Sequence, residues 1–398
     1  MTGHSVVVYT QEYPTVNDPH DGLFTQAIVD ALVTRLPTTV ICPVPWFPMP
    51  DFILRRTGWV STRGMPYRER RGDAEIFFPR IPLVPLLTRS IQPRIQAMRV
   101  AGMLRRLRAA GRLTILNAHS VYPDGIAAAK LARSLRLPLV LTAIGSDINA
   151  NLDSPARLRE IRAAMESADA VIGVSRALCE TMQRIAPGAR IEHIPNGIDR
   201  QRFHVGGPHP AEAAELQGDT RPVLLFVGRL HPVKGLDVLM DALGRLRAAG
   251  PLTFQTVIIG DGPAHAELTR HCAQLQLEND VRFIGGRPHA DVAIWLRRAR
   301  VFCLPSRNEG MPNVVIEAQA TGVPVVATRV GGLAELVDEQ SGILVTAGSA
   351  AELADALDRA MRLNWDAREI AARVAWADWQ KSADRYLEIF NRIPREAA

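Results

Sequence analysis

The sequence has few cysteines and no segment that resembles a membrane span. The four thiols, Cys42, Cys179, Cys272 and Cys303, are far apart and form no Cys-x-x-Cys pair, so neither a disulfide framework nor a zinc site is predicted. No run of about 18 apolar residues occurs, and residues 1–10 lack the basic and long apolar segments of a signal peptide. These absences predict a cytoplasmic protein with single, reduced thiols.

The sequence has enough apolar residues to form two ordinary cores. It contains 398 residues, of which 47% are hydrophobic and 22% are charged. This length favours two domains, and the composition is that of a globular protein and not of a disordered chain.

Short apolar runs alternate with amphipathic helical patterns such as 127–135, 236–247 and 350–361. Runs that are apolar throughout predict parallel strands covered by helices on both faces, and hence an α/β fold of two doubly wound domains. The predicted strands are 5–9, 38–42, 113–117, 139–142, 170–174, 191–194, 222–227, 256–259, 281–284, 301–304 and 324–327.

A stretch rich in Gly, Pro, Ala and Glu separates the two halves. We predict a first domain at 1–205, a linker at 206–220 and a second domain at 221–375. The final segment, 376–398, has aromatic residues at helical spacings. It is predicted either to pack back on the first domain or to complete the core of the second.

Positive charge is concentrated near the N-terminus. The net charge is +6, and residues 52–112 contain 14 arginines against three acids. From Arg89 to Arg112, arginines alternate with Ile, Met and Leu, and Trp46, Phe47, Met49 and Phe52 precede Arg55 and Arg56. This pattern predicts a basic amphipathic helix on an anionic membrane surface; a solvated arginine face is the alternative. Nucleic acid is not expected as a partner, because aromatic stacking platforms and a reading motif are missing.

The segment from 301 to 317 combines a strand, a loop and the start of a helix. Pro312 is expected to open that helix, which would direct free N–H groups and a positive dipole towards a ligand. Glu309 lies in the loop and Glu317 in the second turn of the helix. Carboxylates accept hydrogen bonds from paired sugar or ribose hydroxyls. The segment therefore predicts a ligand site made of Glu309, Gly310, Met311, Pro312, Asn313 and Glu317.

Three further loops follow predicted strands of the second half. The first contains Gly228-Arg229 and Lys234-Gly235, whose two cations could neutralise a diphosphate. The alternative is a basic surface loop without a ligand. Gly260-Asp261-Gly262 is a glycine turn that approaches a ligand or merely reverses the chain. Gly331 and Gly332 follow the strand at 324–327 and are either a phosphate-binding turn or an ordinary β–α turn.

In this order, these elements resemble the retaining glycosyltransferases of family 4, also called glycosyl transferases group 1, in the branch for bacterial polysaccharides of the teichuronic-acid type. The resemblance implies the GT-B fold, in which two Rossmann-like domains face a central cleft. It also implies that Arg229 and Lys234 bind the donor diphosphate, that Glu309 meets the donor sugar and that Glu317 binds the ribose. The implied co-substrate is a UDP- or GDP-sugar, without a separate cofactor or a metal ion.

The first half shares three elements with the family. Gly22 follows the first strand, where the family has a glycine pair beside the donor. His119 ends a strand where the family has a histidine near the reacting sugar; a structural role is the alternative. Asp147 lies in Gly145-Ser146-Asp147, where Ile144 replaces the family's histidine. The resemblance thus implies that Gly22 and Asp147 contact the donor, and that His119 acts in catalysis with Glu309, Arg229 and Lys234.

The expected reaction is transfer of a sugar to a glycan or polyprenyl-linked acceptor, in the cytoplasm or on the inner face of the plasma membrane. A sugar-nucleotide epimerase on the same fold is the closest alternative, because the fold alone does not determine the function. A non-catalytic relative of such enzymes is a second alternative.

Overall fold

The computed structural model describes residues 3–47, 62, 64–84, 88, 90–206 and 218–394. The chain divides into two compact units. Unit 1 comprises Met1–Asn196 and Trp379–Ala398, and unit 2 comprises Gly197–Asp378.

The strands in chain order are β1 (Val6–Tyr9), β2 (Thr38–Ile41), β3 (Val44–Trp46), β4 (Arg68–Arg71), β5 (Ala74–Phe77), β6 (Arg80–Pro82), β7 (Ile115–His119), β8 (Leu139–Ala143), β9 (Ala170–Gly173), β10 (Ile191–His193), β11 (Val223–Val227), β12 (Gln255–Ile259), β13 (Val281–Phe283), β14 (Ala299–Leu304), β15 (Val325–Thr328) and β16 (Gly342–Val345).

The α-helices are α1 (Leu23–Val33), α2 (Gln92–Ala109), α3 (Ile126–Leu135), α4 (Ser146–Asn149), α5 (Pro155–Glu166), α6 (Arg176–Ile185), α7 (Leu236–Ala249), α8 (His265–Gln274), α9 (His289–Arg298), α10 (Asn313–Ala320), α11 (Leu333–Leu336), α12 (Ala350–Arg362), α13 (Ala367–Arg373) and α14 (Trp379–Arg392).

Unit 1 is built on a sheet with the strand order β10-β9-β8-β7-β1-β2-β5-β4. Its neighbouring strands are parallel except β4 and β5, which are antiparallel. β1 lies between β2 and β7, so the chain continues outward from β1 in opposite directions. The carboxyl ends of β1 and β7 therefore form a topological switch point, where open α/β sheets bind their ligands.

Unit 2 has a fully parallel sheet with the order β13-β12-β11-β14-β15-β16. Its switch point lies between β11 and β14. Central strands in both units are buried on both faces, as in the run Val6-Val7-Val8-Tyr9, whose side chains are completely covered. Such strands need helices on both sides of the sheet, which explains the alternation of strands and helices along the chain.

Helix α14 belongs to unit 1, although it follows unit 2 in the sequence. Its residues Ala383, Tyr386, Ile389 and Phe390 are part of the apolar core that also contains residues of β1, β2 and α1. An ion pair of 2.7 Å joins Arg35 Nε to Asp384 Oδ1 at the edge of this core. Of the two predicted placements for 376–398, the structure therefore shows the one on the first unit for α14.

The observed division differs from the predicted boundary. Unit 2 begins at Gly197 and not after residue 205, because the segment after β10 packs against unit 2. Phe203 is buried there, and the backbone oxygen of Arg202 accepts a hydrogen bond of 3.0 Å from Arg297 in α9. Most of the predicted linker, 207–217, lies outside the described residues.

Candidate functional site

The predicted ligand residues of unit 2 lie in loops at the carboxyl ends of β11, β12 and β14. The loop after β11 begins with Gly228, whose N–H donates to Ile259 O at 3.0 Å. A Cβ atom on Gly260 would lie 1.9 Å from Gly228 O, and one on Gly262 would lie 2.3 Å from Leu230 O. Gly260 and Gly262 are thus required for the close approach of two backbones.

Glu309 is held by two side chains, one from the neighbouring β11 loop and one from its own loop after β14. Lys234 Nζ lies 2.7 Å from Glu309 Oε1, and Ser306 Oγ donates to the same oxygen at 2.6 Å. The Glu309 side chain is only 8% exposed, whereas 24% of Lys234 is accessible. Lys234 therefore keeps N–H donors for a ligand while one of them fixes the carboxylate.

The meeting of Lys234 and Glu309 depends on a glycine between the β11 and β14 loops. Gly235 has a φ of +67°, and a Cβ atom there would lie 2.0 Å from Pro305 O. Beside it, Arg307 forms a bidentate ion pair with Asp237 at the start of α7. The sequence Lys234-Gly235 thus lets one loop lie against the other, so that the cation reaches the carboxylate.

Glu317 lies on α10 and has a different partner. Its side chain is 9% exposed, and its Oε1 atom lies 2.8 Å from His289 Nε2 at the start of α9. The His289 ring packs on Phe203, with 5.0 Å between ring centroids. Sequence reasoning missed His289, although a carboxylate among Ile316 and Ala318 signals that a polar partner is needed.

The loop from Glu309 to Pro312 is fixed by the turn after β15. Gly332 N–H donates to Gly310 O at 2.9 Å, and a Cβ atom on Gly331 would lie 1.9 Å from Glu309 O. Pro312 is the N-terminal cap of α10, with extended backbone. The predicted helix start is therefore present at the carboxyl end of β14, with Met311 buried beside it and Asn313 as its first residue. Arg229 is exposed on the β11 loop.

His119 of unit 1 is almost completely buried at the end of β7. Its Nε2 atom is 3.1 Å from Asn117 Oδ1, and its ring stacks on Tyr386 of α14, with centroids 6.1 Å apart. Burial lowers the pKa of His119 to about 3. The ring is therefore neutral at pH 7 and can form hydrogen bonds but cannot provide a positive charge.

Asp147 and Gly22 are tied to the backbone of unit 1. The Asp147 carboxylate accepts hydrogen bonds from the N–H groups of Val121 (2.6 Å), Ile144 (3.1 Å) and Gly145 (2.8 Å). It thereby joins the loops after β7 and β8. Gly22 caps α1 with a φ of +62°, where a Cβ atom would lie 2.2 Å from Glu12 O. Both residues shape the loops at the switch point of this sheet.

The basic segment forms α2, which has a cationic outer face. Arg94, Arg99, Arg105 and Arg106 are exposed, and Met98 is 71% exposed between them. Arg108 donates to Leu135 O and Arg112 pairs with Glu75. Five further residues of the predicted surface, Met49, Phe52, Arg55, Arg56 and Arg89, lie outside the described residues, whereas Trp46 lies in β3 and is 41% exposed.

Within the described ranges, no helix combines the length and apolar character needed to cross a bilayer. The same part of the chain contains no group of three or more His, Cys, Asp or Glu side chains that could bind a metal ion.

Comparison with known families gives a match in each half of the chain. The family model described as "Glycosyltransferase Family 4" matches residues 59–202, and "Glycosyl transferases group 1" matches residues 221–362. The "putative teichuronic acid biosynthesis glycosyltransferase TuaC" of Bacillus subtilis (strain 168) is 32% identical over 359 residues, which cover 88% of this chain and 87% of that protein.

Solved structures match over nearly the whole length. Sucrose-phosphate synthase from Thermosynechococcus elongatus has a TM-score of 0.78 at 20% identity, covering 98% of this chain and 99% of that one. Anabaena Alr3699/HepE, solved in complex with UDP and glucose, has a TM-score of 0.72 at 21% identity, covering 98% and 100%. These likenesses confirm the predicted α/β fold of the GT-B class with its two Rossmann-like sheets.

Proposed function

Because the chain belongs to family 4 of the glycosyltransferases, we propose that it transfers a sugar, with retention at the anomeric carbon, from a UDP- or GDP-sugar to a glycan or lipid-linked acceptor of the cell surface. The transferase activity follows from the family. The observation that carries the finer proposal is the Lys234–Glu309 pair, fixed at 2.7 Å at the switch point of unit 2.

The proposed donor site uses the loops of unit 2. Arg229 and Lys234 bind the diphosphate, and the N-terminus of α10 adds a positive dipole. Glu309 accepts hydrogen bonds from the transferred sugar. Glu317, oriented by His289, accepts them from the ribose, because a fixed carboxylate suits two neighbouring hydroxyls.

The proposed reaction replaces one bond at the anomeric carbon by another. The acceptor oxygen bonds to that carbon on the face from which the diphosphate leaves, and the acceptor proton goes to a phosphate oxygen. The negative charge that develops on the leaving diphosphate is stabilised by Arg229, Lys234 and the α10 dipole, so no metal ion is required. In this reaction the buried His119 ring is neutral, so it can donate or accept a hydrogen bond but does not stabilise negative charge as a cation.

A thermal-shift screen of UDP-, GDP- and ADP-sugars tests the donor site. A ligand that binds only the folded protein stabilises it by about 2.7 kcal/mol at a hundred times its Kd. We expect one UDP- or GDP-sugar to raise the melting temperature by several degrees without added divalent cations. If no nucleotide sugar does so, and none is consumed with membrane acceptors, the donor assignment is wrong.

Product analysis separates transfer from the epimerase alternative. An epimerase converts the donor when no acceptor is present, whereas a transferase leaves it intact or hydrolyses it slowly. None of the relatives and structures described above is named as an epimerase. We expect the donor sugar to remain unconverted. Formation of a new epimeric sugar nucleotide would show that the protein is an epimerase and not a transferase.

We further propose that α2 binds the anionic surface that carries a lipid-linked acceptor. Each exposed arginine near such a surface contributes about 1 kcal/mol. Reversing three of them, in Arg99→Glu, Arg105→Glu and Arg106→Glu, is expected to reduce sedimentation with phosphatidylglycerol vesicles at low salt at least tenfold.

The matched control for the α2 variant reverses three exposed arginines on other helices, Arg159, Arg245 and Arg270. It changes the net charge equally and is expected to retain vesicle binding. Equal losses in the two triple variants would show that binding depends on net charge and not on α2. Absence of vesicle binding by the unaltered protein would refute a membrane role for α2.

A further inference from the structure

Arg307 binds the β11 loop on both sides of Lys234. Its backbone N–H donates to Val233 O at 2.7 Å, and its Nη1 atom donates to Pro232 O at 2.7 Å. The same guanidinium reaches past the lysine to Asp237, with an Nη1–Oδ1 distance of 2.8 Å and an Nη2–Oδ2 distance of 2.5 Å. One residue thus holds the chain immediately before Lys234 and again where α7 begins.

These bonds join the loop that contains Lys234 to the loop that contains Glu309. Arg307 belongs to the loop after β14, as Glu309 does, whereas Lys234 ends a single turn of 3-10 helix, Pro232–Lys234, after β11. Such a short 3-10 turn has few bonds of its own and poor hydrogen-bond geometry. The distance of 2.7 Å between Lys234 Nζ and Glu309 Oε1 therefore depends on contacts between the two loops.

The contacts of Arg307 use the planar fork of its guanidinium. Both Nη atoms bind the Asp237 carboxylate while Nη1 also binds a backbone oxygen, an arrangement that the single nitrogen of a lysine cannot reproduce. The hydrogen bonds from Arg307 lower the pKa of Asp237, so the carboxylate is ionised at neutral pH. The two side chains are 41% and 48% exposed, and ion pairs that are so accessible add little to the stability of a fold. The importance of this pair therefore lies in what it holds in place.

We infer that Arg307 and Asp237 are positioning residues of the proposed donor site. Their ion pair fixes the turn that ends in Lys234, so that the ammonium group stays beside Glu309 and directed at the leaving diphosphate. Electrostatic stabilisation of a transition state requires groups that are already in place, and a displacement of about 1 Å can lower a rate about 100-fold. The inference rests on the proposed transferase function, to which it adds two residues that act through Lys234.

Kinetics of the single and double variants provide the first test. Arg307→Ala is expected to lower kcat about 10- to 100-fold in transfer to membrane acceptors, with KM for the donor changed about threefold or less. Asp237→Ala is expected to lower kcat by a smaller factor, because the bond to Pro232 O remains. The double variant is expected to match Arg307→Ala, because Asp237 acts only through that residue. Losses that multiply in the double variant would overturn the inference.

A direct contact between Arg307 and the donor is the competing explanation, and Asp237→Ala separates the two. If the guanidinium bound the diphosphate, loss of Asp237 would free it, and donor binding and transfer would be normal or improved. If the ion pair positions Lys234, transfer falls in this variant as well. Normal or faster transfer by Asp237→Ala would therefore refute the positioning role.

The matched control is another exposed arginine–aspartate pair of unit 2. Arg362 Nη2 lies 2.7 Å from Asp358 Oδ1 on α12, and Arg362→Ala removes the same charge as Arg307→Ala. This control is expected to transfer sugar as the unaltered protein does. The melting temperatures of both variants are expected to stay within about 2 °C of that of the unaltered protein, because surface ion pairs are weak. A large fall for Arg307→Ala alone would assign the pair to stability and not to positioning.

Chemical labelling of Lys234 tests the same inference without a transfer assay. The chain has only three lysines, and the other two, Lys130 and Lys381, are exposed and serve as internal references. Each variant is treated with an N-hydroxysuccinimide ester, and labelling is followed by peptide mass spectrometry. Relative to the references, Lys234 is expected to react at least threefold faster in Arg307→Ala and Asp237→Ala, because its ammonium group is released from Glu309, and at the normal rate in Arg362→Ala.

The labelling result separates this inference from the proposed function. An unchanged labelling rate of Lys234 in both Arg307→Ala and Asp237→Ala would overturn the positioning role, even if the unaltered protein transfers sugar. A raised rate in both variants of a protein that transfers no sugar would confirm that the ion pair positions Lys234 and would count against the proposed function alone.

Discussion

Alanine at Glu317 is expected to weaken binding of the nucleotide donor about 100-fold. The proposed bonds from this carboxylate to two ribose hydroxyls are hydrogen bonds to a charged group, each worth about 1.5–3 kcal/mol, and a loss of about 3 kcal/mol corresponds to roughly 100-fold in Kd. The expected result is a large rise in Kd, measured by titration of the donor, with a smaller change in the rate at saturation.

His289 provides the control for this result. Its ring lies 2.8 Å from Glu317 Oε1 and acts on the ribose only through that carboxylate. His289→Ala is therefore expected to raise the Kd about tenfold or less, and His289→Gln to restore part of the loss by keeping a donor. A Glu317→Ala variant that binds the donor normally would refute the ribose assignment, and a larger effect of His289→Ala would assign the direct contact to the histidine.

Alanine at Glu309 is expected to act mainly on turnover. Glu309 meets the transferred sugar and fixes Lys234, so its loss disturbs groups aimed at the charge that develops during transfer. Removal of one such group typically costs about 100- to 1,000-fold in kcat. We expect a fall of that order, with KM for the donor changed about threefold or less, in an assay of sugar transfer to membrane acceptors.

Ser306→Ala is the matched control for Glu309. It removes one hydrogen bond of 2.6 Å to Glu309 Oε1 but leaves the carboxylate and its pairing with Lys234. A loss of about tenfold or less is expected. Near-normal transfer by Glu309→Ala, or equal losses in the two variants, would show that the carboxylate itself does not act on the sugar.

The fold could be predicted where strands are apolar throughout. Each predicted strand overlaps an observed one, because a parallel strand buried on both faces needs an uninterrupted apolar run. Among the missed strands, β4 breaks this rule, because its sequence is Arg-Glu-Arg-Arg and it is a partly exposed edge strand of the unit 1 sheet. The missed β16 is apolar, but it is a half-buried edge strand of the unit 2 sheet.

The candidate site could be predicted only in part from the sequence. Lys234, Glu309 and Pro312 could be predicted to share a site, because each follows a predicted strand and the carboxyl ends of parallel strands lie on the same side of a sheet. Their contacts depend on backbone approaches at Gly235 and Gly331 that no local pattern specifies. His289 was missed, because it matters through a residue distant in sequence: Glu317 lies 28 positions from it.

The placement of α14 also constrains the order in which the two units can fold during synthesis. Unit 2 is one continuous segment, Gly197–Asp378, whereas the core of unit 1 takes Tyr386 and Phe390 from residues made after that segment. During translation, unit 2 can reach its final packing first, and the first-made half of the chain must wait for the last helix. A fragment ending at Asn196 would therefore expose the apolar surface that α14 covers, and aggregate.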